Sequence, residues 1–440
     1  MTIRRGVGHG NGSLTFSRVG RNRRVPGILN PMCELEPAGN FFLGATRKMW
    51  AFMYVYFGCL LMVLHANANA ATAYRPNDDA QVLVELHRGG TRSNDREAKA
   101  LRSELKEHPG ELAPARRLAQ LLMEQARRES DPRYLGQAEA VLGPWWQNAA
   151  APTDVLILRA TIEQSRHQFD DALKTLNEVL VRDPRAAGAW LTQATILTLR
   201  GDYPGARRAC GTLVRLTDLL TALTATAAVG GVTGEAERSL KLLEVSQTSS
   251  PSAPPATLAW SHAVAGDLAE RLDRPSDAER HYLAALSLAP RDPFALSIWA
   301  DFLLNQHRET EVLPLLASET DKDALLLRFA EAKAATSRGG LASIAPEIAR
   351  LEAGFAAARR HGVSHAREEA RFQLHLRGAP MRACQLAREN WEQQREPADL
   401  RLLQECGQAA HDRETIASAH AWVRTNRLED AVLQRLTSNP

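Results

Sequence analysis

The chain has 440 residues, of which 44% are apolar and 24% are charged, and its formal net charge is +3. This length exceeds that of one compact core and predicts several domains or an array of repeats. The apolar share excludes an intrinsically disordered chain. Residues 1–48 hold eight basic and two acidic side chains, which leaves 46 basic and 49 acidic residues elsewhere. The slightly acidic body argues against a nucleic-acid-binding protein.

The N-terminal region is unlike the body. Residues 1–48 are rich in Gly and Arg without helical periodicity, and we expect them to be disordered or to precede the true start of translation. Two basic residues then precede a 16-residue apolar run from Met49 to Leu64, and small residues follow it. This order is typical of a secretory signal peptide cleaved near Tyr74, although the run is also close to the length of a membrane anchor. Residues 49–73 are therefore predicted to be a signal peptide or an anchor.

An export signal of this type predicts that the body lies in the bacterial periplasm, either free or anchored to the inner membrane. Three of the five cysteines, Cys210, Cys384 and Cys406, belong to the body, which is too few for a disulfide scaffold. Cys210 lies on an apolar helical stripe and is expected in the core. A bridge between Cys384 and Cys406 remains open, because the sequence does not give their separation.

Beyond Tyr74, apolar residues recur at intervals of three and four, and no alternating strand pattern of useful length occurs, which predicts an all-α body. The segment that starts at Thr153 matches the chain again after 34 residues, and a second pair of such units starts at Ala259. The small, aromatic and proline positions of these units are Ala160, Ala172, Pro184, Trp190, Ala194, Ala206, Gly266, Ala278, Pro290 and Ala300.

Small residues at these positions allow two helices to approach closely, and the prolines end the second helix of each unit. On these positions the chain resembles bacterial tetratricopeptide-repeat (TPR) proteins. The resemblance implies a TPR-type α-solenoid of stacked helix-turn-helix hairpins, wound as a right-handed superhelix. We predict an extended segment at 74–94, a first TPR sub-array at 95–247, a linker at 248–256, and a second sub-array with degenerate repeats at 257–435.

The resemblance also implies a function and a binding surface. Proteins of this family act as non-enzymatic protein–protein interaction scaffolds, and the first helix of each hairpin lines a concave groove. The groove positions carried over to this chain include Gln164, Trp260, Asp267, Glu270, Arg271, Phe294, Asp301 and Asn305. The later of these are acidic and aromatic, which favours a basic or apolar segment of a protein partner, unless the charges only solvate the inner face. The Lys/Asn/Arg clamp that some members use for a C-terminal carboxylate is not matched.

No known catalytic or nucleotide-binding motif occurs in the sequence. The densest titratable cluster consists of His361, His365, His375, Glu368 and Glu369, and we interpret it as a solvated helix surface in preference to a metal site. We predict no cofactor, no catalytic residue and no nucleic-acid partner. Membrane contact is expected only through an uncleaved N-terminal segment. The alternative function is a metal-binding or hydrolytic envelope protein that uses this cluster.

Overall fold

The computed structural model describes residues 92–148, 150–360 and 365–438. The segments predicted at 1–48 and 49–73, and nearly all of that at 74–94, lie outside the described residues. Within the described part there are 21 α-helices and no strand. None of these helices combines the length and the apolar character that crossing a membrane requires.

The helices follow one another with short connections, and their bounds define the labels used below. They are α1 (Arg92–Glu107), α2 (Leu112–Glu129), α3 (Arg133–Val141), α4 (Gly143–Trp146), α5 (Thr153–Ser165), α6 (Phe169–Arg182), α7 (Ala187–Arg200), α8 (Tyr203–Leu213), α9 (Leu219–Gly231), α10 (Ala236–Ser249), α11 (Pro255–Arg271), α12 (Pro275–Leu288), α13 (Pro293–Asn305), α14 (Glu309–Leu316), α15 (Asp323–Thr336), α16 (Ala345–Arg360), α17 (Ala366–His375), α18 (Pro380–Gln393), α19 (Pro397–Ala409), α20 (Arg413–Asn426) and α21 (Ala431–Ser438). A short 3₁₀ helix, Gly340–Ile344, precedes α16.

The helices pair into consecutive hairpins. Each of α2, α5, α7, α9, α11, α13, α15, α17 and α19 is the first helix of a hairpin and packs against the helix or helices that follow it. Successive first helices also contact each other, whereas successive second helices of the described chain make no comparable contact. The first helices therefore form the inner wall of a curved stack. The predicted all-α, TPR-type α-solenoid is confirmed.

The turns inside most hairpins share a recurring geometry. A residue with positive φ follows the first helix, and the next N–H donates to the carbonyl oxygen five residues earlier, as Gln168 does to Glu163 at 2.9 Å. This pattern is the Schellman motif, which ends a helix while satisfying its last carbonyls. The positive-φ residues of six such turns are His167, Gly201, Gly234, Asp273, His307 and His411.

The small residues at the predicted helix–helix positions are buried. Ala160, Ala172, Ala194, Ala206, Ala278 and Ala300 are each at most 2% exposed. A Cβ added to Gly266 would come within 2.6 Å of the Tyr282 ring, so the two helices of that hairpin touch closely. Pro184 and Pro290 lie on the surface just after their second helices end, and Trp190 donates its ring N–H to the Pro184 carbonyl oxygen at 2.9 Å.

The stack passes through the segment predicted as a linker. Helix α10 ends at Ser249 and α11 begins at Pro255, yet one apolar cluster holds Leu240 and Leu243 from the first side with Leu268 from the second. Helices α9 and α11 are in contact across it. The break between the helices therefore does not interrupt the core.

The C-terminal helices pack against earlier hairpin turns. The Arg395 N–H donates to the Leu199 carbonyl oxygen at 2.7 Å, and a Cβ added to Gly201 would lie 2.7 Å from Trp422. Tyr203 belongs to the same apolar cluster as Leu433. Helices α18 to α21 therefore close onto the hairpins of α7 to α10.

The contact at Gly266 gives a stability prediction. Gly266→Ala should lower the free energy of unfolding by ~1–3 kcal/mol, because the new methyl group would overpack against Tyr282. The matched control is Gly136→Ala on α3, where a Cβ meets no heavy atom within 4 Å. It should raise the free energy by ~0.5–1 kcal/mol through a lower backbone entropy of the unfolded chain. Urea unfolding followed by circular dichroism measures both, and equal effects would contradict the close contact.

Candidate partner-binding groove

The predicted groove residues lie on three of the first helices. Gln164 is on α5, while Trp260, Asp267, Glu270 and Arg271 are on α11, and Phe294, Asp301 and Asn305 are on α13. Their accessibility differs. Phe294 is 60% exposed and the Asp267 side chain is 43% exposed, whereas Glu270 and Arg271 are at most 5% exposed.

Glu270 is held inside the wall by hydrogen bonds from two hairpins. The Tyr282 hydroxyl donates to its Oε2 at 2.9 Å, and the Asn305 amide donates to its Oε1 at 2.8 Å. Burial raises the pKa of Glu270. The carboxyl and the Asn305 amide therefore bind each other and connect α11 to α13.

Arg271 also makes contacts within the chain. Its Nε donates to Asp267 Oδ2 at 2.9 Å, and its Nη1 donates to the Gly231 carbonyl oxygen at 2.7 Å. The second bond reaches the last residue of α9, so Arg271 connects two successive first helices. Asp267 accepts this bond through Oδ2, and its side chain remains 43% exposed to solvent.

Asp301 is surrounded by arginines of this chain. Arg328 donates to both of its oxygens, at 2.8 and 2.6 Å, and Arg371 donates to Oδ1 at 2.7 Å. Burial alone would raise the pKa of Asp301, but the two guanidinium charges outweigh it and lower the pKa. Basic groups therefore do lie against this groove position, and they come from α15 and α17.

The same network continues towards the C-terminus. Arg371 also donates to both oxygens of Glu331, at 2.8 and 2.7 Å. His375 lies between Glu331 and Glu405, with ring nitrogens 3.1 and 3.0 Å from their carboxylate oxygens. Burial would lower the pKa of His375, but these two carboxylates raise it to about 9. The imidazole is therefore protonated at neutral pH and links α15, α17 and α19.

Arg401 of α19 completes this network. Its Nε donates to Asp430 at 3.0 Å, and the carboxylates of Glu270 and Asp267 lie close enough to favour its charge electrostatically. We name Asp267, Glu270, Asp301, Glu331, Glu405, Arg328, Arg371, Arg401 and His375 the inner-wall charge network. Three of its four cations, Arg371, Arg401 and His375, come from α17 and α19, so the acidic section of the wall is largely paired within the chain.

A second section of the wall is mostly neutral, and its Asp154 carboxylate is paired with Arg116. Helices α5 and α7 present partly exposed side chains at the corresponding positions, which we name the uncharged strip: Ile157, Thr161, Gln164, Leu191, Thr195 and Thr198. Hydroxyl groups of Thr161 and Thr195 donate to the main-chain oxygens four residues earlier, at 2.8 and 3.0 Å. Their lone pairs, and the amide of Gln164, remain able to bind another molecule.

The histidine cluster is not gathered into one site. His361 lies outside the described residues, and His365 and His375 stand at opposite ends of α17. Glu369 accepts a hydrogen bond from Arg359 at 2.5 Å. In the residues that the structure describes, no three His, Cys, Asp or Glu side chains form a group that could hold a metal ion. These residues give no support to the metal-binding or hydrolytic alternative.

Sequence reasoning missed Arg328, Glu331, Arg371, Arg401 and Glu405. The hairpin turns supply a signal that could have found one of them. Glu405 stands six residues before the turn residue His411, which is the distance that separates Asp301 from His307. Aligning the C-terminal repeats on their turns thus places Glu405 at a wall position.

No protein-family model matches the sequence, and no curated protein matches it. Solved structures are similar in fold. PilW, a widely conserved type IV pilus biogenesis factor, is 13% identical with a TM-score of 0.32, over 65% of this chain and 98% of PilW. A tetratricopeptide repeat protein from Parabacteroides merdae is 13% identical with a TM-score of 0.34, over 70% and 98%. The human IFIT1 dimer with m7Gppp-AAAA is 11% identical with a TM-score of 0.41, over 76% and 86%.

At these identities the likeness concerns the fold alone. The stacked hairpins themselves, with their recurring turns and buried alanines, define a TPR-like helical-repeat protein.

The His375 contacts give a prediction for pH. A histidine whose folded pKa of about 9 exceeds the unfolded value of 6.5 stabilises the fold fully below pH 6.5. This stabilisation is lost as the pH rises through 9, so the melting temperature should fall over that interval. His375→Gln should remove this part of the dependence, whereas His108→Gln at the end of α1 should keep it. Thermal unfolding at a series of pH values measures the effect, and identical profiles for wild type and His375→Gln would refute it.

Proposed function

We propose that the protein is a non-enzymatic protein–protein interaction scaffold that binds a segment of a partner protein along its inner wall. The observation that supports this proposal is the division of that wall. The acidic section is paired with arginines of the same chain, while the uncharged strip on α5 and α7 stays partly exposed. A partner segment can therefore bind the uncharged strip without displacing ion pairs of this chain.

The chemistry of the uncharged strip indicates the kind of segment that fits. Ile157 and Leu191 offer apolar surface, and burying such side chains against a partner contributes ~25 cal/mol per Å² of apolar area. Gln164 can donate to and accept from the main chain of an extended peptide. We propose a segment with apolar and neutral side chains at this position.

Two further residues extend the proposed surface towards α11 and α13. Asp267 is bound on one side by Arg271 and is otherwise open, and Phe294 is the most exposed aromatic residue among the predicted groove positions. A basic side chain of the partner would pair with Asp267, and an apolar one would cover Phe294. We therefore propose a partner segment with basic or apolar side chains. Asp301 is not part of the proposed surface, because it already has two arginine partners.

Binding is tested by placing a charge on the strip. Thr195→Lys should weaken the capture of a partner by the tagged full-length protein roughly tenfold or more, because an unpaired ammonium group is costly to bury against an apolar segment. Thr192→Lys is the matched control, since Thr192 lies on the same helix and is also partly exposed but is not one of the strip residues. A partner identified by mass spectrometry should be retained by Thr192→Lys and lost with Thr195→Lys. Equal retention would reject the strip as the binding surface.

We further propose that the protein is exported to the bacterial cell envelope. The support is the order of residues before the body: basic side chains, the apolar run from Met49 to Leu64, and Ala-x-Ala sites. Cleavage would release the body into the periplasm, and retention of the run would anchor it to the inner membrane.

Export predicts a defined N-terminus for the mature protein. When the full chain is produced in a bacterial host, N-terminal sequencing of the periplasmic fraction should find a start near Tyr74. Leu61→Arg, which interrupts the apolar run, should leave the protein uncleaved in the cytoplasm. A protein that begins at an earlier residue and remains in the membrane fraction would support the anchored form. Equal recovery of the wild type and Leu61→Arg from the cytoplasm would reject export.

A further inference from the structure

Helices α18 and α19 form an antiparallel pair, and each places one cysteine at the same level along it. The connection between the helices runs from Gln394 to Glu396, and Arg395 is at its centre. Cys384 and Cys406 stand eleven residues before and eleven residues after Arg395. Since both helices rise by ~1.5 Å per residue, the two cysteines lie opposite each other.

The two side chains are buried and in contact. Cys384 is 1% exposed and Cys406 is not exposed. They are neighbours within one apolar cluster, and Cys406 Sγ donates to the Leu403 carbonyl oxygen at 3.4 Å. The surrounding side chains are small or aliphatic: Ala370, Ala383, Leu386, Ala387, Leu402 and Leu403. Both cysteines are thiols in the structure.

We infer that Cys384 and Cys406 are a redox pair, which closes to an intrachain disulfide when the chain folds in the presence of a disulfide oxidant. One thiolate attacks a sulfur of the oxidant, such as glutathione disulfide, and releases one glutathione thiol. The second cysteine then attacks the mixed disulfide and releases the other glutathione. The protein loses two hydrogens and two electrons, and the oxidant gains them as two thiols.

The surroundings place this reaction at folding rather than after it. Burial raises the pKa of both thiols, and the thiolate is the reactive form. The folded protein also shields both sulfur atoms from a solute the size of glutathione. The bond, once formed inside this cluster, is protected against reduction for the same reason.

The bond would fix a contact on which the C-terminal helices depend. It joins the second helix of one hairpin to the first helix of the next, on both sides of the connection that carries Arg395. Arg395 binds the Leu199 carbonyl oxygen and lies 4.8 Å from the centre of the Trp422 ring. Oxidation therefore stiffens the part of the chain that holds α18 to α21 against α7 and α8.

The test uses the full-length chain, which has five cysteines, so the bond must be mapped. The protein is refolded from urea with oxidised and reduced glutathione, blocked with N-ethylmaleimide and digested with trypsin. We expect one disulfide-linked species that joins peptides Ala383–Arg388 and Leu402–Arg413. Dithiothreitol should reduce this bond roughly tenfold or more slowly in the native protein than in urea.

Two variants separate the inference from a general effect of oxidation. Cys210→Ala, in a different apolar cluster, should keep the linked peptide and the higher urea midpoint of the oxidised form. Cys406→Ala should lose both. The digest of wild-type protein decides the matter even if that variant folds poorly. Recovery of Cys384 and Cys406 as separately alkylated peptides after oxidative refolding would overturn the bond, and equal urea midpoints of oxidised and reduced wild type would overturn its role.

Discussion

The structure depends on the turn that ends most of the first helices. A single left-handed residue, such as Gly201 or His307, reverses the chain within two or three positions. The second helix must then lie directly against the first, so the facing positions can hold only small side chains. Gly266 meets this requirement, because Tyr282 occupies the space that a methyl group would need. A non-glycine residue in this conformation costs ~1–2 kcal/mol, which the packing of each hairpin must exceed.

Close packing of the first helices determines the chemistry of the inner wall. An acidic side chain on that wall is partly removed from water, and an unpaired buried charge is strongly destabilising. Asp301 and Glu331 accordingly share Arg371, which reaches them from a hairpin one or two units further along the chain. Such pairs add little net stability compared with apolar residues, but they constrain which hairpins can lie together. The wall therefore carries paired charges from α11 to α19 and mostly neutral side chains along α5 and α7.

The sequence predicts the hairpins because their determinants are local and repeat after 34 residues. Small residues are needed at positions such as Ala160 and Ala194 because each packs against a helix of the same repeat or of the next one. It does not predict contacts between units far apart, since no periodic pattern states which repeats approach each other. Asp301 was interpretable from sequence as a site for a basic partner, but its arginine partners required the structure. Gln164, by contrast, is a predicted groove residue that is partly exposed in the structure.

The closure of the C-terminal helices explains why the acidic section of the wall is occupied by other side chains of the chain more than the uncharged strip is. Tyr203, Trp422 and Leu433 bury apolar surface where α20 and α21 meet α8, and this burial is the main favourable term of the contact. Arg371 and Arg401 reach the acidic section from α17 and α19, and Asp430, which lies between α20 and α21, accepts a hydrogen bond from Arg401. A ligand for the acidic section would have to displace the ion pairs that these arginines make. The neutral side chains of the uncharged strip form no ion pairs with these arginines, and this difference is the basis for proposing the strip on α5 and α7 as the binding section.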